Sequence, residues 1–154
     1  MKKVITVCLA ISFLTSCGFK ITENKLVQNY KITILKTEGE KRINYKLKNN
    51  LNIRNTSNNE IFLKLNTIKT KNIKEKNDDN QIIKYEIEII TTVSYNFLKN
   101  INQSGQFKIS KKGDFKVSNQ HIITIENEKN LINILTNNIS EQIIQKINLT
   151  LNDT

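Results

Sequence analysis

Apolar residues recur along this chain with one of two periods, and the period changes from segment to segment. Tyr30, Ile32 and Ile34 alternate with Lys31 and Thr33, which predicts a first strand over residues 30 to 34. From residue 39 the period lengthens: Ile43, Leu47 and Leu51 recur four apart, with Lys41, Arg42, Lys46, Lys48 and Arg54 elsewhere around the wheel. That spacing predicts a cationic amphipathic helix over residues 39 to 54, ended by the turn-formers Asn55, Thr56, Ser57, Asn58 and Asn59.

Alternation then returns. Ile61, Leu63 and Leu65 against Phe62, Lys64 and Asn66 make a second strand, which runs through residue 73 into an open, solvated edge. Beyond a polar loop at residues 76 to 80, Ile83, Tyr85, Ile87, Ile89, Thr91, Val93, Tyr95 and Phe97 hold a strict period of two against Lys84, Glu86, Glu88, Thr92, Ser94 and Asn96. This third strand has one buried and one wet face. A turn over residues 100 to 105 leads to a fourth strand at 106 to 110, and Lys111, Lys112, Gly113 and Asp114 read as a bulge or turn before Phe115 and Val117.

The last stripe is helical again. Leu131, Leu135, Ile139, Ile143, Ile147 and Leu151 fall four apart, with Ile132, Ile134 and Ile144 beside them, which predicts a long helix over residues 126 to 148. Glu126 and Glu128 then occupy its first turn, where the helix dipole favours acid. The order strand, helix, three strands, helix predicts an α+β fold with two helices packed on one face of a mostly antiparallel four-stranded sheet. Ile43, Leu47, Leu51, Leu135, Ile139 and Ile143 are its expected core.

The amino end obeys neither pattern. A basic head (Met1, Lys2, Lys3), an apolar run over residues 4 to 14 and the end Leu14-Thr15-Ser16-Cys17 form a bacterial lipoprotein signal. A bilayer span needs about 20 apolar residues, so this shorter run reads as a removable export signal. The cysteine sulfur forms a thioether to diacylglycerol and the freed amine takes a further acyl chain; two or more chains anchor a protein stably. The expected organisation is a signal peptide at 1–16, a lipidated tether at 17–29 and one domain over 30–154, with Cys17 as the lipid attachment site. Gly18 stands where an Asp would retain a lipoprotein in the inner membrane, which favours a periplasm-facing anchor in the outer membrane.

Cleavage removes two lysines, leaving 22 basic and 14 acidic residues, a charge of +8. A basic envelope surface attracts anionic lipid head groups and phosphorylated glycolipids. Nucleic acid is excluded as a partner by the export signal and by the lack of any nucleic-acid-binding motif. Acylation consumes the one cysteine of the mature chain, so no disulfide or thiol chemistry is left.

Catalytic patterns are missing. His121 is the one histidine and falls on a polar connector, and no nucleophile elbow, zinc-binding helix or phosphate loop accompanies it. Neither a cofactor nor a metal is expected: Asp78 and Asp79 lack the further spaced oxygens of a cation site and read as a solvated hairpin tip. Glu86 and Glu88 share a strand face about 7 Å apart, two rises of about 3.3 Å, and read as structural wet-face residues beside Lys84. Function is therefore sought on surfaces, with Lys111 and Lys112 as candidate contacts for an anionic amphiphile.

Cys17-Gly18-Phe19, the cationic segment from Lys41 to Leu51 and the order of elements together resemble the lipopolysaccharide-assembly lipoproteins of the LptE type. Lys20, Ile21 and Thr22 stand where members of that family often carry a proline and an aromatic. The resemblance implies a non-enzymatic outer-membrane lipoprotein that assists and partners the β-barrel lipopolysaccharide translocon (LptD-like) and contacts lipopolysaccharide. The alternatives are an accessory or pilotin-like lipoprotein of another envelope complex, and a ligand-binding lipoprotein with a cavity between sheet and helices. The dense apolar stripes predict a filled core instead of such a cavity.

Overall fold

A glycine and a carbonyl decide how the chain enters its first helix. The computed structural model describes residues 30–52, 60–98 and 103–152, so Cys17, the signal peptide and the tether lie outside the described residues. Its elements run β1 (Lys31–Gly39), α1 (Lys41–Leu51), β2 (Glu60–Lys76), β3 (Ile82–Phe97), β4 (Ser104–Lys116) and α2 (His121–Asn152). At the β1–α1 corner Gly39 has φ +83°, and a Cβ there would lie 1.9 Å from the Thr67 carbonyl oxygen. Only glycine adopts that conformation without strain and clears that oxygen. The freed approach lets the Glu40 N–H donate to the same oxygen at 2.9 Å.

The strands lie in the order β1-β2-β3-β4. β3 is antiparallel to both its neighbours, whereas β1 runs parallel to β2, so the sheet is mixed and not mostly antiparallel as the alternation suggested. The cause is connectivity: β1 and β2 are adjacent strands joined through α1, and a helical crossover returns the chain to the end from which it started. β1 covers β2 only from Glu60 to Thr67. Beyond Thr67, β2 is the solvated edge that its sequence predicts.

One face of the sheet carries the core. Leu63, Leu65 and Thr67 of β2 stand opposite Tyr95, Val93 and Thr91 of β3. The last two stand in turn opposite Phe107 and Ile109 of β4. α1 packs along β1 and β2, α2 along β4 and β3, and the two helices touch. Ile43, Leu47, Leu51, Leu135, Ile139 and Ile143 are all buried, as expected. Each such side chain contributes about 1.5–3 kcal/mol by leaving water. Polar contacts fix the helix pair: the Asn50 side-chain amide donates to Asn137 Oδ1 at 3.0 Å and to Ser140 Oγ at 3.2 Å.

Three local expectations change. Residues 111 to 114 are not a bulge or turn, because β4 keeps unbroken register with β3 from Ser104 to Lys116. Gly113 serves packing there: a Cβ on it would meet Leu131 Cδ1 at 2.8 Å, so its absence lets α2 close onto the strand. The C-terminal helix starts at His121, which therefore opens a helix and not a connector. Its first turn contains no acid; Glu128 is held further along by Lys71 and Lys69 of β2. At its start the Ser118 N–H donates to Thr124 Oγ1 at 2.8 Å, and the Ile123 N–H donates to the Gln120 carbonyl at 3.1 Å. Finally, α1 spans Lys41–Leu51, with residues 39 and 40 forming the corner instead of a first turn.

Candidate functional surfaces

With both helices on one side, no described element covers the opposite face of three long strands. Its polar rows follow from the alternation: Lys64, Ser94 and Gln106 stand side by side across β2, β3 and β4, as do Asn66, Thr92 and Lys108, and then Thr70, Glu88 and Lys112. Phe62, Ile68 and Ile90 interrupt these rows, and Ile68 is about half exposed. One half of the face thus mixes apolar and hydrogen-bonding groups with the lysines Lys64, Lys108 and Lys112.

The other half is a charge ladder closed on itself. Lys74 lies 2.9 Å from Asp114 and 3.9 Å from Glu86, and Lys84 lies 2.6 Å from Glu75. Hydrogen bonding from Lys74 holds the Asp114 carboxyl below its usual range, and the Glu75 carboxylate raises the Lys84 ammonium. Ser110 Oγ donates to Glu88. Glu86 and Glu88 are therefore bound within the sheet's surface network, in keeping with a structural reading.

Lys111 and Lys112 are split by the strand they belong to. Lys112 stands opposite Glu88 on the open face and is exposed, whereas Lys111 stands opposite buried Ile89 on the helix face and is half-buried. Adjacent strand residues point to opposite faces, so the two cannot form one contact. Lys108, Lys112 and Lys116 share the open face of β4. Asp78 and Asp79 sit exposed at the β2–β3 loop, closed by the Asn77 side chain accepting from the Gln81 N–H at 2.8 Å. His121 is exposed on the first turn of α2.

A second feature was not visible in the sequence. Between α1, the first half of α2 and β2 lies a groove of about 350 Å³. Ile43, Ile125 and Ile132 form its apolar lining, and Arg42, Lys46, Lys69 and Lys129 its basic one. The stripe Ile125-Ile132 signals a helix face, but the start expected at residue 126 leaves Ile125 outside it. Among the described residues, no group of three His, Cys, Asp or Glu side chains is placed to hold a metal, and no helix is long and apolar enough to cross a membrane.

No protein-family model matches the chain, and no curated protein matches it by sequence. Solved structures do match. Rare lipoprotein B from Shewanella oneidensis superimposes with a TM-score of 0.62 at 12% identity, over 80% of this chain and 97% of its own. The fold is that of rare lipoprotein B. A lipoprotein from Caulobacter crescentus follows with a TM-score of 0.56 at 11% identity, over 84% of this chain and 95% of its own. Lipoprotein B from Nitrosomonas europaea gives 0.53 at 15% identity, over 77% and 81%. The resemblance drawn from the element order thus extends to the fold, whereas Cys17, Gly18 and Phe19 lie outside the described residues.

Proposed function

We propose that this protein is an outer-membrane lipoprotein, anchored through Cys17 and facing the periplasm, which partners the β-barrel lipopolysaccharide translocon and helps it assemble. The observation that carries the reading is the rare lipoprotein B fold covering 97% of that protein's own chain, joined to a lipoprotein signal at Cys17. The role is non-enzymatic. Specificity then lies in a protein surface, and the open half-face around Phe62, Ile68 and Ile90 suits one: it offers apolar groups among hydroxyls and amides, the composition of a non-obligate interface. Lipopolysaccharide contact is assigned to the exposed lysines of β4, whose charge-assisted bonds match glycolipid phosphates.

The test is purification of the acylated protein from detergent-solubilised outer membrane. A stoichiometric β-barrel of the LptD type is the expected companion, lost when Phe62 and Ile68 are both changed to Asp. Another envelope complex in its place would make the protein an accessory lipoprotein of that complex.

A further inference from the structure

The groove between the helices is built for a ligand unlike the multiply acylated glycolipid above. We infer that it binds a single-chain anionic glycerophospholipid, of which lysophosphatidylglycerol is the simplest example. Three observations lead there. Arg42 and Lys46 of α1 and Lys129 of α2 line it from both sides, and none of the three has an ion-pair partner among the described residues. The acidic lining residues are fewer: Glu128 is occupied by Lys71 and Lys69, leaving Glu40. Three unpaired cations against the single remaining carboxylate make it a place for a phosphate.

Beneath them the groove is apolar. Ile43 is buried, whereas Ile125 is 50% exposed and Ile122, three residues earlier on the same helix and so on its neighbouring face, is 72% exposed. An acyl chain leaving the groove across Ile125 and Ile122 would cover surface that the described residues leave exposed. The volume of about 350 Å³ is at the small end of ligand sites. It accommodates a head group with the first part of one chain, not several chains side by side.

The third observation selects the head group. Asn133 lines the same groove, and its Oδ1 is buried with no hydrogen-bond partner. Leaving such an atom unsatisfied is costly. That oxygen meets a ligand only when the amide turns over to present it to the groove. A carboxylate or bare phosphate has no proton to offer it there, whereas a glycerol hydroxyl both donates to the amide oxygen and accepts from the amide N–H. Phosphate, free hydroxyls and one chain occur together in lysophosphatidylglycerol.

The test is native mass spectrometry of the acylated protein released from micelles of an uncharged maltoside, with lysophosphatidylglycerol, lysophosphatidylcholine of equal chain length, or glycerol 3-phosphate added. One lysophosphatidylglycerol per chain is expected, with lysophosphatidylcholine much weaker and glycerol 3-phosphate unable to displace it. The combined Arg42→Gln, Lys46→Gln, Lys129→Gln variant should bind about tenfold less, the worth of three partly exposed charge pairs. Equal binding of the two lysolipids, displacement by glycerol 3-phosphate at equal concentration, or undiminished binding by a folded triple variant overturns the inference. So does the lack of any adduct, the result expected if the N-terminal segment or another protein fills the groove. The comparison of lysolipids uses the unaltered protein and stands even if the variant misfolds.

Discussion

The Glu40 N–H donates to the Thr67 carbonyl oxygen at 2.9 Å, so the residue before α1 is stitched to the middle of β2. That bond fixes where the helix leaves the sheet, and with it where Ile43 and Leu47 land in the core. It exists because residue 39 is a glycine. Gly39→Ala places a methyl where the carbonyl oxygen already lies and forces an L side chain into φ +83°. The backbone strain alone costs about 1–3 kcal/mol, and relief of the clash must break the Glu40 bond as well. Thermal or denaturant unfolding should show a loss at the top of that range or beyond; a variant as stable as the wild type would mean that the corner does not set the register.

A second relationship is buried under the helices. Thr67 Oγ1 and Thr91 Oγ1 lie 3.2 Å apart, cross-strand partners that are both fully buried. Changing either one to Val leaves the other hydroxyl without a partner and should cost about 1–3 kcal/mol. Changing both removes the whole polar pair and should cost clearly less than the two single losses added. A double-mutant cycle measured by urea unfolding checks this, and simple additivity would show that the hydroxyls act independently.

How far the fold can be read from the sequence varies with what each residue touches. β3 is plain because every second residue from Ile87 to Val93 is buried, so burial and alternation coincide. The α1 stripe is plain for the same reason. The start of α2 is not, because Ile122, Ile123 and Ile125 are exposed and no core-facing periodicity marks the first turns. The turn composition of residues 111 to 114 is overridden by pairing with β3, a non-local contact that local propensity does not contain. Parallel pairing of β1 leaves no trace in alternation, which looks the same in either direction; only the helix between adjacent strands reveals it. The groove depends on how α1 lies against α2, and residue spacing within each helix cannot supply that. Lys112 could be singled out by type but not by face, since a turn assignment conceals that Lys111 and Lys112 diverge.

The Lys74–Asp114 pair predicts a pH dependence with a definite sign. Hydrogen bonding from Lys74 holds the Asp114 carboxyl below its usual range in the folded protein. The native state therefore favours the ionised form. Its stabilising contribution is complete above the unfolded value of about 3.9, and falls away as pH drops from there through the folded value. An NMR titration should find the Asp114 carboxyl midpoint moved up in Lys74→Met. An unmoved midpoint would show that the ion pair is not maintained in solution.

The last prediction separates the two candidate lysines. Lys112 is exposed on the open face, in a row with Lys108 and Lys116 whose members are four strand residues apart, about 13 Å at about 3.3 Å per residue. Lys111 is half-buried on the helix face opposite Ile89. A phosphorylated glycolipid approaching the open sheet meets the row and not Lys111. Exposed charges are screened over about 8–10 Å at physiological salt, so the contribution is largest at low ionic strength. Lys108→Glu with Lys112→Glu should therefore weaken association with lipopolysaccharide and flatten its salt dependence, measured as binding to immobilised lipopolysaccharide across a salt series. Lys111→Glu should leave that binding near the wild-type value and instead lower the melting temperature, because it puts a carboxylate beside the packed face of the sheet. Equal losses of binding from the two faces would mean that the glycolipid is not read by the open sheet. No loss from either at low salt would remove direct contact altogether, leaving barrel partnership as the whole of the proposed role.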